Sequence, residues 1–425
     1  MGLLDIPPEL TERIAQLCEP RDLPALRLVN REVGSRVIRT FTKVHFEKRS
    51  CLLCYEPGLQ RLTRIAEHPH FGKAFGSLVF YIDEIPEADH PSRDGNDSPQ
   101  TLDRMSDSER AERILENQRY LELLQQQRDL RQSDTDLRLL TGIFSRLKGF
   151  GKILDVAIVD TNVHDVSPPD AEEVDRDWVT DEREIVESTN EALVVRDDDD
   201  ERRVEIVLQA LASSAVAVDK FAIDCRSWAW SQYSLGGPEV LPHAHSLFAG
   251  LRYLHLALGG YIGESKAVRE RTIEVFAAAQ ALEVLSLSVA SPVGDDIDKA
   301  DLDSPWRLEL FANLWDTKFA ALRYLTLQRF LLDIEDISRF LMQHRTLKAV
   351  AFRGCHIVSV TANGAWLLEQ KKPAPDSKHD EKIARLIQQI GHLPQVRVEG
   401  CSVRAWQVEE VEVVEDEAVE DGEET

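Results

Sequence analysis

The sequence predicts an α/β protein: a short three-helix unit at the start, then an irregular solenoid of parallel strands with helices on the convex side. Three observations predict it. The phrase Leu-x-x-Leu-x-Leu returns at Leu251/Leu254/Leu256, Leu282/Leu285/Leu287 and Leu322/Leu325/Leu327. Looser copies stand at Phe75/Leu78/Phe80, Ile153/Val156/Ile158, Val218/Phe221/Ile223, Leu347/Val350/Phe352 and Leu393/Val396/Val398. The stretches between phrases carry helical apolar spacing, and a repeated strand-then-helix unit stacks into a parallel sheet. Finally, 425 residues with 43% apolar content exceed one core of usual size, so an array or two domains is expected.

The first element is a helix beginning at Asp5-Ile6-Pro7-Pro8-Glu9, with proline where an amide would be unpaired anyway and an acid near the positive end of the dipole. Leu10, Ile14 and Leu17 fall at i, i+4 and i+7 and form one apolar stripe. Glu19-Pro20 ends it. A second helix starts near Asp22-Leu23-Pro24 and carries Leu23, Leu26 and Val29; a third runs from about Arg31 with Val33, Val37 and Ile38. Three short helices cannot bury all their apolar faces against one another, so some of that surface is left for a partner.

The remaining elements follow from the phrases. In each, the last two apolar positions alternate as a half-buried strand requires, and the first is buried where the chain turns into the strand. Helices are expected over 109–132 (stripe Ile114, Leu121, Leu124), over 136–148 (Leu137, Leu140, Phe144, Leu147), at Val207/Leu208/Leu211, at Ile273/Val275/Phe276, at Phe311/Leu314/Phe319, at Ile334/Ile337/Phe340/Leu341 and at Ile383/Leu386/Ile387/Ile390. The organisation is then a helical unit over 1–48, a connecting helical segment over 49–70, and an array over 71–407. Disordered inserts are expected at about 84–108 and 164–203, with a Lys/Pro/Asp linker at 371–378 and an acidic disordered tail over 408–425.

Charge and composition exclude several functions. The net charge is −25, and it is uneven. Residues 164–205 carry 17 acidic and 5 basic side chains, and residues 408–425 carry 10 acidic and no basic ones, so nearly all the excess lies in two segments. No basic face is apparent, which disfavours nucleic acid. No secretory leader and no membrane-length apolar run is visible, and Ile6 stands where a myristoylation signal wants Ser or Thr. Six dispersed cysteines suit reduced thiols, so a cytoplasmic or nuclear setting is expected. Cys51-x-x-Cys54 with His68-x-His70 lacks the histidine spacing and second cysteine pair of a zinc finger, and buried or incidental thiols account for it better. His243 and His245, placed in a loop, lack an obvious nucleophile or acid. No nucleophile elbow, phosphate-cradling loop or zinc-protease motif occurs, so neither catalysis nor a cofactor is expected.

The N-terminal residues also resemble a known family. Ile6-Pro7-Pro8-Glu9-Leu10, then Ile14 and Leu17, then Asp22-Leu23-x-x-Leu26-x-x-Val29-Asn30-Arg31 resembles an F-box over about 40 residues. The usual tryptophan after the third helix is absent, with Phe41 and Phe46 the aromatic residues near that place. An F-box followed by such repeats resembles the fungal-type F-box proteins with divergent leucine-rich repeats. The resemblance implies the substrate-recognition subunit of an SCF-type cullin–RING ubiquitin ligase. Ile6, Pro7, Leu10, Ile14, Leu23, Leu26 and Val29 would dock the Skp-type adaptor, and the repeats would hold a protein target. The strand residues beside the buried leucines point out of the sheet and give the target face: Tyr253, His255, Tyr324, Thr326, Gln328 and Arg353, with Ser286, Ser288, Arg397 and Glu399 beside them. The alternative is a leucine-rich-repeat scaffold whose N-terminal helices only cap the array, with no ligase attached.

Overall fold

The computed structural model describes residues 6–82, 106–159, 200–224, 241–258, 266–289, 314, 317–353, 355–358, 395–399 and 402–403. Three helices come first: α1 (Pro8–Leu17), α2 (Leu23–Leu28) and α3 (Arg31–Phe46). Pro8 occupies the first helical position of α1, where a missing N–H costs nothing. Asn30 caps α3, its Oδ1 accepting from the Val33 N–H at 2.8 Å. The three helices close on Ala15, Leu23, Val33, Val37 and Phe41. Gly34 permits the close approach of α2 to α3: a Cβ there would lie 2.7 Å from the Arg27 carbonyl oxygen.

Nine strands then form one wholly parallel sheet. Their order is β1 (Lys48–Leu52), β2 (Ser77–Tyr81), β3 (Ile153–Val159), β4 (Ala217–Asp224), β5 (Tyr253–Leu258), β6 (Val284–Val289), β7 (Tyr324–Gln328), β9 (Ala349–Arg353) and β11 (Gln395–Glu399). The end strands β1 and β11 do not pair with each other, so the sheet stays open. A second, three-stranded parallel sheet holds β8 (Leu331–Asp333), β10 (His356–Val358) and β12 (Ser402–Val403), each separated from the end of a main strand by two residues. Between strands run α4 (Glu56–Glu67), α5 (Asp107–Gln132), α6 (Thr135–Gly149), α7 (Asp200–Ser214), α8 (Leu241–Phe248), α9 (Lys266–Ala278) and α10 (Ile334–Gln343).

The main strand order never reverses. Crossovers between parallel strands keep one hand, so an order that only advances puts every crossover helix on the same side of the sheet. The packing agrees: α4 lies against α6, α6 against α7, α7 against α8 and α8 against α9, as one layer. The sheet's helix-side residues and that layer share one core. It contains Leu78, Phe80, Val156, Ile158, Phe221, Ile223, Leu254, Leu256, Leu285, Leu287, Leu325, Leu327, Val350 and Phe352 from the strands. Phenylalanines bridge sheet and helices in edge-on or tilted pairs, Phe80 with Phe144 and Phe221 with Phe248, and Phe248 meets Phe276 within the helix layer, at 6.0 to 6.4 Å between ring centres.

Every repeated phrase coincides with a strand, and six first positions (Phe75, Val218, Leu251, Leu282, Leu322, Leu347) are buried as expected. Ile153 is exposed instead, because β3 buries Leu154, Val156 and Ile158 in strict alternation. The connecting helical segment expected over 49–70 holds α4, but its first residues are a strand. Residues Lys48–Leu52 are a strand paired with β2, so the sheet begins there. On α5 the stripe is shifted: Ile114 and Leu121 are exposed, while Leu123, Leu124, Gln127 and Leu130 are buried. His243 and His245 lie in α8 rather than in a loop. The insert expected over 164–203 overlaps the start of α7 at Asp200, and the one over 84–108 overlaps α5 at Asp107. The rest of both inserts, the linker at 371–378, the helix at 383–390, Phe311, Leu393 and the tail over 408–425 lie outside the described residues.

Candidate functional site

Helix α1 is amphipathic the wrong way round for a capping helix. Thr11 and Ala15, one turn apart and small, face the three-helix core. The larger residues face water: Leu10 is 55% exposed, Ile14 37% and Leu17 74%. From α2 and its end, Leu28 at 82% and Val29 at 54% join them. Both helices pack on α3, and each leaves large apolar side chains exposed. Pro7 is exposed beside them and Ile6 is half-buried, with its carbonyl oxygen accepting from Arg36 Nη1 at 2.7 Å. Leu26 is half-buried against the helical core. Leu23, expected at the docking face, is a correction: it is wholly buried in the three-helix core and presents nothing to a partner. Leu28 was not expected at this face. The signal for it was present, since Leu26 and Leu28 stand about 200° apart on a helix and cannot both face one core.

This unit is joined to the sheet by an aromatic stack. Phe46, the last residue of α3, stacks on Phe71 at 4.2 Å between ring centres, and His68 stacks on the same Phe71 at 4.1 Å. The Arg27 guanidinium lies 4.7 Å from the centre of the Phe41 ring and 5.6 Å from that of Phe71, and Arg49 of β1 lies 5.7 Å from that of Phe46. Helices α2 and α3, the first strand and the turn after α4 thus share one cluster.

The sheet face opposite the helices carries the residues expected to meet a target, and strand register brings them into rows. Tyr253 and Tyr324 both sit level with Val284, His255 is level with Ser286 and Ser286 with Thr326, and Gln328 is level with Arg353. Tyr324 is exposed; Tyr253, Thr326, Gln328 and Arg353 are half-buried. His255 is the second correction. It is 5% exposed, and its Nδ1 shares a 2.9 Å hydrogen bond with the equally buried Ser286 Oγ. Its Nε2 lies 4.0 Å from Asp224 Oδ2, beyond hydrogen-bond reach. Burial therefore decides its titration and pushes the imidazole down to about 4, so it is neutral near pH 7. At the middle of this face, His255 and Ser286 are closed to solvent. Arg397 and Glu399 stand on β11, in register with Ala351 and Arg353.

A charge ladder crosses the strand starts. Arg252 Nε lies 3.6 Å from Asp219 Oδ1 and 3.2 Å from Glu283 Oε1, and Arg323 Nη1 lies 3.5 Å from Glu283 Oε2. The signal was in the phrase itself, whose second position is charged in Leu251-Arg252, Leu282-Glu283, Leu322-Arg323 and Leu347-Lys348. Exposed pairs of this kind add little stability individually. His344, buried between α10 and the turn before β7, is a structural pin. Its Nε2 accepts from the Phe319 N–H at 2.9 Å, so Nδ1 carries the proton and donates to the Phe340 carbonyl at 2.8 Å.

Cys51 and Cys54 are buried while His68 and His70 are exposed, and among the described residues no group of three or more His, Cys, Asp or Glu side chains is placed to hold a metal. No helix among the described residues is long and apolar enough to cross a membrane. No protein-family model matches the sequence, and no curated protein matches it either.

Proposed function

We propose that the N-terminal helices are an F-box that docks the Skp-type adaptor of a cullin–RING ubiquitin ligase, and that the parallel array is a leucine-rich-repeat solenoid holding a protein target. The observation that carries this reading is the inverted amphipathy of α1, with Thr11 and Ala15 inward and Leu10, Ile14 and Leu17 outward. A helix that only capped the array would turn its large side chains towards the array and its small ones to water. Here the reverse holds, and Leu28 and Val29 at the end of α2 are exposed as well. The order of the F-box-like residues along α1 to α3 supports the same reading. The chain would make and break no bonds. It would hold target lysines near a charged ubiquitin carrier and raise their effective concentration.

The test is capture of the full chain by purified Skp-type adaptor. Leu10→Ala with Ile14→Ala removes apolar area from an exposed surface, so the thermal unfolding profile is expected to stay close to wild type. Losing about 1 kcal/mol or more of burial at each position lowers adaptor affinity by roughly 30-fold. Undiminished capture by the double variant would remove the docking model.

A further inference from the structure

The backbone at the start of α1 is tied down unevenly. The Pro7 carbonyl oxygen accepts from the Leu10 and Thr11 N–H groups at 3.1 Å each and from Thr11 Oγ1 at 3.2 Å. The Ile6 carbonyl stands one residue further out. Leu10, whose amide lies four residues on and would serve Ile6 in a continued helix, is taken by Pro7. Pro7 and Pro8 come between and have no N–H to give. The donor comes from α3 instead: Arg36 Nη1 reaches back 30 residues and donates to the Ile6 oxygen at 2.7 Å.

Arg36 is itself held. Its Nη2 donates to Glu32 Oε1, one turn earlier on α3, and the two form an i, i+4 ion pair. The Arg36 side chain is only 15% exposed, so its hydrogen bonds are shielded from competing water. A guanidinium is a planar fork, and fixing one arm on Glu32 aims the other. The chain beyond the hydrogen bond is stiff. Pro7 has a φ of −53° and a ψ of 144°, its ring fixes the first of these, and a residue before proline is kept extended. One charge-assisted bond at Ile6 therefore sets the direction from which the chain enters α1.

We infer that Arg36 is a positioning residue for adaptor docking: from α3 it fixes the backbone of Ile6 and so presents that residue to the adaptor. This rests on the docking function proposed above. Arg36 need not touch the partner. It holds Ile6 in place before the partner arrives, which takes the cost of ordering that residue out of the binding step.

The experiment is calorimetric titration of the full chain with purified Skp-type adaptor, for wild type, Arg36→Met, Arg36→Lys, Ile6→Ala and the double variant Arg36→Met with Ile6→Ala. Each is checked for native circular dichroism. Arg36→Met keeps an apolar stem and removes the fork, so it should weaken binding about five-fold or more, the cost of ordering one residue on binding. Arg36→Lys keeps one charged donor and should restore part of the affinity. A merely structural role would lose the same factor in any background. Here the effect of Arg36→Met should shrink to about two-fold or less once Ile6→Ala has removed the side chain being presented. Wild-type affinity in Arg36→Met, or an undiminished effect in the Ile6→Ala background, overturns the inference and leaves docking standing. A wild-type chain that binds no adaptor removes docking and the role of Arg36 together.

Discussion

The buried His255–Ser286 pair makes the fold acid-labile in a defined window. Folded, the ring takes up a proton only near pH 4; unfolded, it does so near its ordinary 6.5. Above about 6.5 both states hold a neutral ring and the pair adds a constant amount. As pH falls below 6.5 the unfolded chain gains a proton that the folded one refuses, so stability drops by about 1.4 kcal/mol per pH unit until about pH 4. The whole interval amounts to about 3 kcal/mol, a sizeable share of ordinary domain stability. His344 is pushed down by burial as well and adds to the same slope, so the wild-type profile alone does not isolate His255. His255→Gln does: it keeps a polar partner for Ser286 and does not titrate. The assay is urea unfolding at several pH values between 7.5 and 4.5, with a ring-proton NMR titration to read the His255 midpoint directly. The variant should show a shallower loss than wild type. Equal slopes, or a ring titrating near 6.5, would refute the reasoning.

Three further outcomes are expected. Arg329 has a φ of 62° at the turn between β7 and β8. Arg329→Gly relieves left-handed backbone strain and should stabilise by about 1 kcal/mol or less, read from the denaturation midpoint. Gly34→Ala drives a Cβ against the Arg27 carbonyl oxygen, should cost about 1–3 kcal/mol, and should weaken adaptor capture by prising α2 from α3. Tyr253→Ala with Tyr324→Ala should leave adaptor capture intact while removing proteins that the wild-type chain retains through its open face; retention unchanged would show that target contact lies elsewhere.

Much of the array was legible because one physical requirement repeats. A strand with one face on a helix layer must alternate, and each phrase from Phe75 to Val398 does so. β1 was missed since Arg49-Ser50-Cys51-Leu52 carries no such phrase; its burial comes late, at Cys51 and Leu52. α8 was missed because eight residues with Pro242 and two histidines show too little periodicity. On α1, apolar spacing located Leu10, Ile14 and Leu17 but could not say which side of the helix met the core. Only the partners Val33, Val37 and Phe41 settle that, and they take the small residues. The same limit misplaced Leu23. His255 was misassigned for a different reason. Alternation shows which way a strand side chain points, but it is silent on whether solvent reaches that face.

The stack of Phe46, His68 and Phe71 has a mechanical consequence. Eight interstrand gaps of about 4.8 Å put β11 as much as ~38 Å along the sheet from β1. On such a lever arm, a 10° wobble at the root would swing the far end by ~7 Å, more than the length of a side chain. The rings at that root stack with planes 7° from parallel, with Arg27 and Arg49 over them. A cargo gripped anywhere along the arm would then be aimed, rather than merely tethered.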